Sequence, residues 1–303
     1  MRRPLLLAAA AVLALLASSC SAAAPAAGPQ IVVTTNILGD VTRQVLGDQA
    51  TVTTLMQPES DPHSFEISAQ QAASMSNADL VVSNGLGLEE GLQQHLDRAA
   101  AAGAPMLVAG EVGDVVPYSS GDAKGTPDPH FWTDPAAIIK VVDALEESAG
   151  QIDGINEEKL SASAAAYRQQ LTALDQEMTT AFAGLPRERR ALVTNHHVFG
   201  YLAARFDFTV IGAVIPGGTT LAAPSAADLR ELSEAIRTAD VPTIFADSSQ
   251  PDRLVQVLAS EAGVKVQVSE LFTESLTRPD GAAPTYLDMM RVNTQRIVDG
   301  LAP

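Results

Sequence analysis

The 303-residue chain has a single cysteine, one tryptophan and five histidines. One thiol closes no intramolecular disulfide and builds no cysteine-rich zinc site. Basic residues are also scarce: 19 Lys and Arg stand against 36 Asp and Glu, for a formal net charge of −17. Such a chain lacks the cations that neutralise phosphates, so no nucleic acid is expected among its partners. Long apolar runs are missing too. The run from Leu5 to Ala17 has 13 residues, where a transmembrane helix needs roughly 20. What remains is ordinary for a globular fold, with 46% hydrophobic residues, and the length favours two domains or one large one.

The first twenty residues read as an export signal. Met1-Arg2-Arg3 is positive, the apolar run follows, and the small residues Ala17-Ser18-Ser19 precede Cys20. That is the order of a signal peptide, assigned to residues 1–19. Cys20 resembles the cysteine of a bacterial lipobox, whose thiol is diacylated and which becomes the new N-terminus. Ala17 stands where leucine is usual, three positions earlier. Two acyl chains anchor stably where one binds marginally. The expected location is therefore outside the cytoplasm, lipid-anchored to the outer face of the cell membrane, with residues 20–29 as a lipidated, flexible linker. Loss of Arg2 and Arg3 takes the mature charge from −17 to −19.

From Gln30 onward, β-branched runs alternate with helical patterns. Strands are predicted at Gln30–Thr35, Thr51–Met56, Leu80–Ser83 and Pro105–Val108, with helices at Ile37–Leu46, Ala69–Ser76 and Leu88–Ala101. From Ile155 to Phe182 there is no Pro or Gly, and Leu160, Ala164, Tyr167, Leu171, Leu174 and Met178 recur every three or four residues. This predicts one long amphipathic helix, ended by Gly184-Leu185-Pro186. Alternation then resumes, with strands at Ala191–Thr194, Val210–Val214, Thr243–Ala246 and Lys265–Val268. Helices are predicted at Val198–Phe206, Ala226–Ala239, Asp252–Ala262 and Tyr286–Leu301. The fold class is α/β: two lobes with mainly parallel sheets, 30–150 and 186–303, flank an interlobe helix over 151–185.

The histidines are His63, His95, His130, His196 and His197. The tripeptide Asp-Pro-His occurs twice, at Asp61-Pro62-His63 and Asp128-Pro129-His130, each time in a loop after a strand. Proline fixes its own φ and biases the residue before it toward an extended shape, and such stiffness favours a metal ligand. His196 and His197 follow a strand, where ligands of α/β sheets usually bind, and either could serve. His95 lies mid-helix among polar neighbours and reads as a solvated surface residue. Asp247 and Glu274 each sit where a strand hands over to a loop. With no thiolate, a transition-metal site here must use imidazole and carboxylate. Three imidazoles with one carboxylate suit zinc, and more oxygen suits manganese.

At this point the chain resembles the metal-binding lipoproteins of zinc and manganese ABC importers, the cluster A-I substrate-binding proteins. The resemblance runs from Ile31 to Leu301. It rests on VVTTNILGDVTRQVLGD, DPHSFEIS, ADLVVSNGLGLE, DPHFWTDP, HHVFGYLAARF, PSAADL, IFADSS, LFTESL and TYLDMMRVNTQRIVDGL, in that order. It implies two α/β lobes joined by one long rigid helix, with a metal cleft between them. Carried over motif by motif, it implies His63, His130, His196 and Glu274 as the metal ligands. It places Asp247 as an acidic neighbour behind them. The family usually has Asp where Glu274 stands. His at the third position resembles the zinc-type members, where manganese-type members tend to carry Glu. The His-rich insert of many zinc members is absent, since Ser119 to Asp128 contains no histidine.

The function so implied is capture of one divalent ion, zinc or alternatively manganese, and its delivery to an ABC permease with its ATPase subunit, by a monomeric receptor without enzymatic activity. A single stiff interlobe helix would keep opening modest. The competing reading is a zinc hydrolase, which would need three histidines on the metal and an open fourth position. Neither HExxH nor a nucleophile elbow is present.

Overall fold

The structure is a computed structural model that describes residues 28–119, 121, 123–215, 217–250, 253–261 and 266–302. The signal peptide over 1–19, Cys20 and positions 20–27 of the expected linker lie outside the described residues.

Each half of the chain builds a sheet of four strands. In the first, β1 (Gln30–Val33), β2 (Thr51–Thr54), β3 (Leu80–Ser83) and β4 (Met106–Val108) take the order β2-β1-β3-β4. In the second, β5 (Ala191–Thr194), β6 (Thr209–Ala213), β7 (Thr243–Asp247) and β8 (Gln267–Leu271) take the equivalent order β6-β5-β7-β8. Every ladder among these strands is parallel. The strands are short and carry β-branched and aliphatic residues, as expected of sheets covered on both faces. The first lobe's helices are α1 (Asn36–Leu46), α2 (Ala69–Ser76), α3 (Gln93–Ala101) and α4 (Pro135–Gly150). The long α5 (Glu157–Ala183) follows. The second lobe adds α6 (Gly200–Phe206), α7 (Ala226–Thr238), α8 (Arg253–Glu261) and α9 (Tyr286–Leu301).

The alternating pattern gave most of these elements to within a few residues, with two differences. The helix expected from Leu88 begins at Gln93, after a short 3-10 turn over Glu90–Leu92. Gly85, Leu86 and Gly87 all have positive φ, which no helix accommodates. The buried Glu89 carboxylate holds that loop by accepting from the amides of Asn84 (2.7 Å) and Gly85 (3.0 Å). The second difference is α4, which the pattern reading passed over. Its signals are local: Asp134 caps the Ala136 amide at 2.8 Å, and Pro135 occupies the first turn, where a missing N–H is harmless.

α5 is where the two lobes become one body. Asn156 accepts from the Lys159 amide at 2.9 Å to start it, and Gly184 ends it. Its buried stripe is Leu160, Ala164, Tyr167, Leu171, Leu174, Met178 and Phe182, at helical spacing. That stripe packs on α1, α4 and α9. One hydrophobic core therefore runs from Ile31 in β1 through α5 to Leu301 in α9. Two smaller clusters lie apart from it. One, with Val32, Met75 and Leu96, belongs to the first lobe. The other, with Val214, Leu232, Ile236, Ile244 and Leu258, belongs to the second. So the lobes are joined by a packed helical layer rather than by α5 alone.

A shared core predicts shared unfolding. Leu171→Ala is expected to lower stability by about 2–5 kcal/mol, the usual range for a buried leucine. Tryptophan fluorescence, reporting Trp132, and far-UV dichroism should shift together in a urea titration, and two separated transitions would contradict the continuous core.

Candidate metal centre

The carboxyl ends of both parallel sheets face one cleft, and the four expected ligands enter it from four loops. His63 follows β2, His130 follows β4, His196 lies two residues beyond β5, and Glu274 lies three residues beyond β8. Their relative exposures are 1%, 0%, 0% and 1%.

The two Asp-Pro-His tripeptides fold in the same way. In each, the Asp carboxylate accepts from the amide of its own histidine at 2.9 Å: Asp61 Oδ1 from His63, and Asp128 Oδ1 from His130. The proline sets the backbone between them, so aspartate, proline and histidine form one closed turn. The proline alone would not close this turn; the aspartate does. Asp128 does more, because its Oδ1 also lies 2.7 Å from His130 Nδ1. That contact fixes the hydrogen on Nδ1 and leaves the Nε2 lone pair facing the cleft. Gly200, at the start of α6, makes room for this carboxylate, since a Cβ there would strike Asp128 Oδ2.

His196 is held through its carbonyl, which accepts from the Thr194 hydroxyl at 2.6 Å. Glu274 is held through its neighbours, by residues of the first half of the chain. Trp132 Nε1 donates to the Thr273 carbonyl at 2.8 Å. Asn36 Nδ2 donates to Ser275 Oγ at 2.7 Å, and Asn36 Oδ1 accepts from the Leu276 amide at 3.0 Å. Asn36 and Trp132 were not singled out from the sequence. Both stand inside segments that carried the resemblance, but nothing in their residue type points to a partner some 240 or 140 positions away.

The result is four donor atoms that all lie within 4.8 Å of one another. His63 Nε2 and His130 Nε2 are 3.4 Å apart. Glu274 Oε1 is 3.0 Å from His196 Nε2 and 3.3 Å from His130 Nε2, while Oε2 is 3.8 Å from His63 Nε2. Donors bonded at ~2.0–2.1 Å around a tetrahedral ion stand about 3.3 Å from each other. The spacing thus suits one small divalent ion, and the set of three imidazoles and one carboxylate suits zinc.

Burial sets the protonation states. Loss of water pushes the His63 imidazole down to about 4 and His130 to about 3, against the opposing pull of Glu274. His196 is lowered by the same cause. All three are neutral at pH 7, as ligands must be. Burial raises the Glu274 carboxyl, with the nearby histidines acting against it. Asp128 is raised to about 7, also by burial. Glu274 Oε2 and the Nδ1 atoms of His63 and His196 are buried without hydrogen-bond partners.

The remaining candidates fall outside the set of four. His197 is buried with its ring 6.3 Å from that of Tyr118, and it contributes no atom to the cluster. His95 is half-buried on α3, less open than its polar neighbours suggested, and is no member of the cluster either. Asp247 ends β7, fully buried, with Oδ1 accepting from the Ser249 amide at 2.7 Å and Oδ2 unpartnered. Burial and the Glu274 charge raise its carboxyl to about 6.

The chain matches the family described as ZnuA, zinc-uptake complex component A, periplasmic, over residues 31–300. Among curated proteins it is 31% identical to the zinc-binding protein TroA of Treponema pallidum over 280 residues, 90% of this chain and 89% of that one. It is 26% identical to the manganese-binding lipoprotein MntA of Halalkalibacterium halodurans over 275 residues, 91% and 89% of the two chains. Among solved structures, the periplasmic zinc-binding protein TroA of Treponema pallidum superposes with a TM-score of 0.83 at 29% identity, covering 91% of this chain and all of that one. The Mn-bound periplasmic metal-binding protein of candidatus liberibacter asiaticus gives 0.80 at 26% identity, with 90% and 99% coverage. With nearly the whole folded chain matched, the protein belongs to the ZnuA family.

Proposed function

We propose that the protein is the extracytoplasmic metal-binding receptor of an ABC importer. It captures one divalent transition-metal ion, zinc, through His63, His130, His196 and Glu274, and hands it to a membrane permease served by an ATPase subunit. The observation that carries this reading is the convergence of three neutral Nε2 atoms and one carboxylate in a buried pocket. Lobes over 30–150 and 186–303, with 151–185 between them, supply two ligands each. Asp247 stands behind His196 and adds negative charge to the pocket. A lipid on Cys20 holds the receptor, as a monomer, at the outer face of the membrane.

Two observations bear on the alternatives. Relatives named for zinc and for manganese match at similar identity, so the choice of zinc rests on the donor set of this chain. A hydrolase would keep Glu274 back from the metal, over a bound water. Here Glu274 Oε1 is within 3.3 Å of two of the histidine nitrogens, which supports direct coordination over a set-back base.

Calorimetry on untagged, metal-stripped residues 21–303 tests the assignment. One equivalent of zinc is expected to bind tightly, with manganese weaker. His63→Ala and His196→Ala should each cost more than the ~10–100-fold typical of residues that merely support a ligand, while His197→Ala should keep tight binding. Failure to bind either ion would sink the proposal.

Acid should weaken the complex. A bound ion requires all four ligands unprotonated. The two lowered histidines are already neutral between pH 7 and 5 in the closed pocket, whereas burial makes the Glu274 carboxyl take up a proton at higher pH than an ordinary glutamate, and the ion competes with that proton. Affinity is therefore expected to fall as pH drops from 7 to 5, with net proton release on binding at pH 6. Titrations in buffers of different ionisation enthalpy measure that release, and a pH-independent affinity would contradict it.

A further inference from the structure

The four proposed ligands are at most 1% exposed, so an ion enters or leaves only if something covering them moves. The main core offers little that can. It includes Leu271, Phe272 and Leu276 around Glu274 and Phe131 and Trp132 beside His130, all on the continuous body that α5 organises. Two segments of the second lobe that reach across to the ligand-bearing turns hang instead from its smaller cluster. The β6–α7 loop runs from Val214 toward Leu232, and the β7–α8 loop runs from Ala246 toward Val255, and all four residues belong to that cluster.

Those two loops are fastened to the first lobe at defined points. Asp61 Oδ2 accepts from Thr220 Oγ1 at 2.7 Å and from Gln250 Nε2 at 2.8 Å, across 159 and 189 positions of sequence. The same oxygen accepts from Ser64 Oγ at 3.0 Å, while Oδ1 caps the His63 amide. Tyr118 OH donates to the Gly218 carbonyl at 3.0 Å and lies 3.4 Å from His130 Nδ1. A Cβ on Gly218 would come within 2.8–2.9 Å of the Tyr118 ring, so only glycine admits the phenol there. Both fasteners thus join a second-lobe loop to a residue that touches a first-lobe ligand.

We propose that Gly217–Thr220 is the gate of the metal pocket and that Asp61 and Tyr118 are its latch. They are positioning residues that govern how long the ion stays bound. Closing the gate satisfies Asp61 Oδ2, which stiffens the turn that presents His63. Opening it frees the Tyr118 hydroxyl and uncovers His130. This rests on the metal-receptor reading above, and adds to it the part of the protein that moves.

Zinc-loaded mature protein mixed rapidly with excess chromogenic chelator reads the release rate directly. Asp61→Asn keeps the shape but puts an amide where Oδ2 accepts three hydrogen bonds. Thr220→Val and Tyr118→Phe remove one hydroxyl each and touch no ligand backbone. Each is expected to release zinc about tenfold faster, the equivalent of losing one hydrogen bond of roughly 1.4 kcal/mol. Association should be no slower than in the wild type, and the metal-free form should keep its far-UV dichroism and a single cooperative unfolding transition, which a loss of the fold would not allow. If the wild-type chain loads zinc but Thr220→Val and Tyr118→Phe release it at the wild-type rate, the latch is overturned and the receptor reading stands. If the wild-type chain takes up no zinc, both fall together.

Discussion

Four lone-pair donors buried within 4.8 Å of one another form the constraint to which the rest of this structure answers. Without a proton or a cation among them, such atoms repel, and burial has removed the water that would otherwise screen them. The protein must therefore supply the force that holds them together. It does so with backbone more than with side chains. Each Asp-Pro-His turn closes on its own histidine, Thr194 holds the His196 carbonyl, and Trp132 and Asn36 hold the residues on either side of Glu274. A cation placed among these donors relieves a tension already built into the fold, which is the physical sense in which the pocket is prepared for a metal.

The arrangement of cores divides this work. The large core fixes the distance between the two sheets, because α5 packs on helices from both lobes and the Tyr286 hydroxyl donates to the Trp132 carbonyl at 2.8 Å. Tyr286 also donates its amide to Asp40 in α1 at 2.8 Å. A wide swing of one lobe would break these buried contacts together. The small cluster of the second lobe is free of that penalty, so motion is cheapest in the loops it carries.

The sequence was legible where physics is local. Alternation of β-branched runs and amphipathic stretches is enough to place a parallel sheet in each half, and a 27-residue helix without Gly or Pro announces itself. The repeated Asp-Pro-His marks, for the same reason, two loops whose histidines meet in the structure. Which of His196 and His197 faces the pocket was a different matter. Adjacent residues beyond a strand point to opposite sides; only the resemblance singles out His196, whose ring lies beside His63, His130 and Glu274 in the structure. The α4 helix was overlooked although its Asp-Pro start is a local signal. The residues that could not be found are those whose meaning is a distant partner: Asn36, Trp132, Tyr118, and Asp61 in its second role. Each is an ordinary polar or aromatic residue until the chain has folded.

Glu274 shows how lobe membership by sequence can mislead. It belongs to the second half of the chain, and a two-lobe receptor suggests that it parts from His63 and His130 when the cleft opens. Its flanks argue otherwise. Thr273 is tied to Trp132, Ser275 and Leu276 to Asn36, and the Leu276 carbonyl accepts from the Glu59 amide at 3.0 Å. All three partners lie in the first half of the chain. The carboxylate is thus tied to the first lobe as well as to its own, where Asn293 holds both the amide and the carbonyl of Phe272. The extra methylene of glutamate lets it reach His196 from there. A parting of the lobes here would break the Trp132 and Asn36 contacts together with those of Glu274 to His130 and His63.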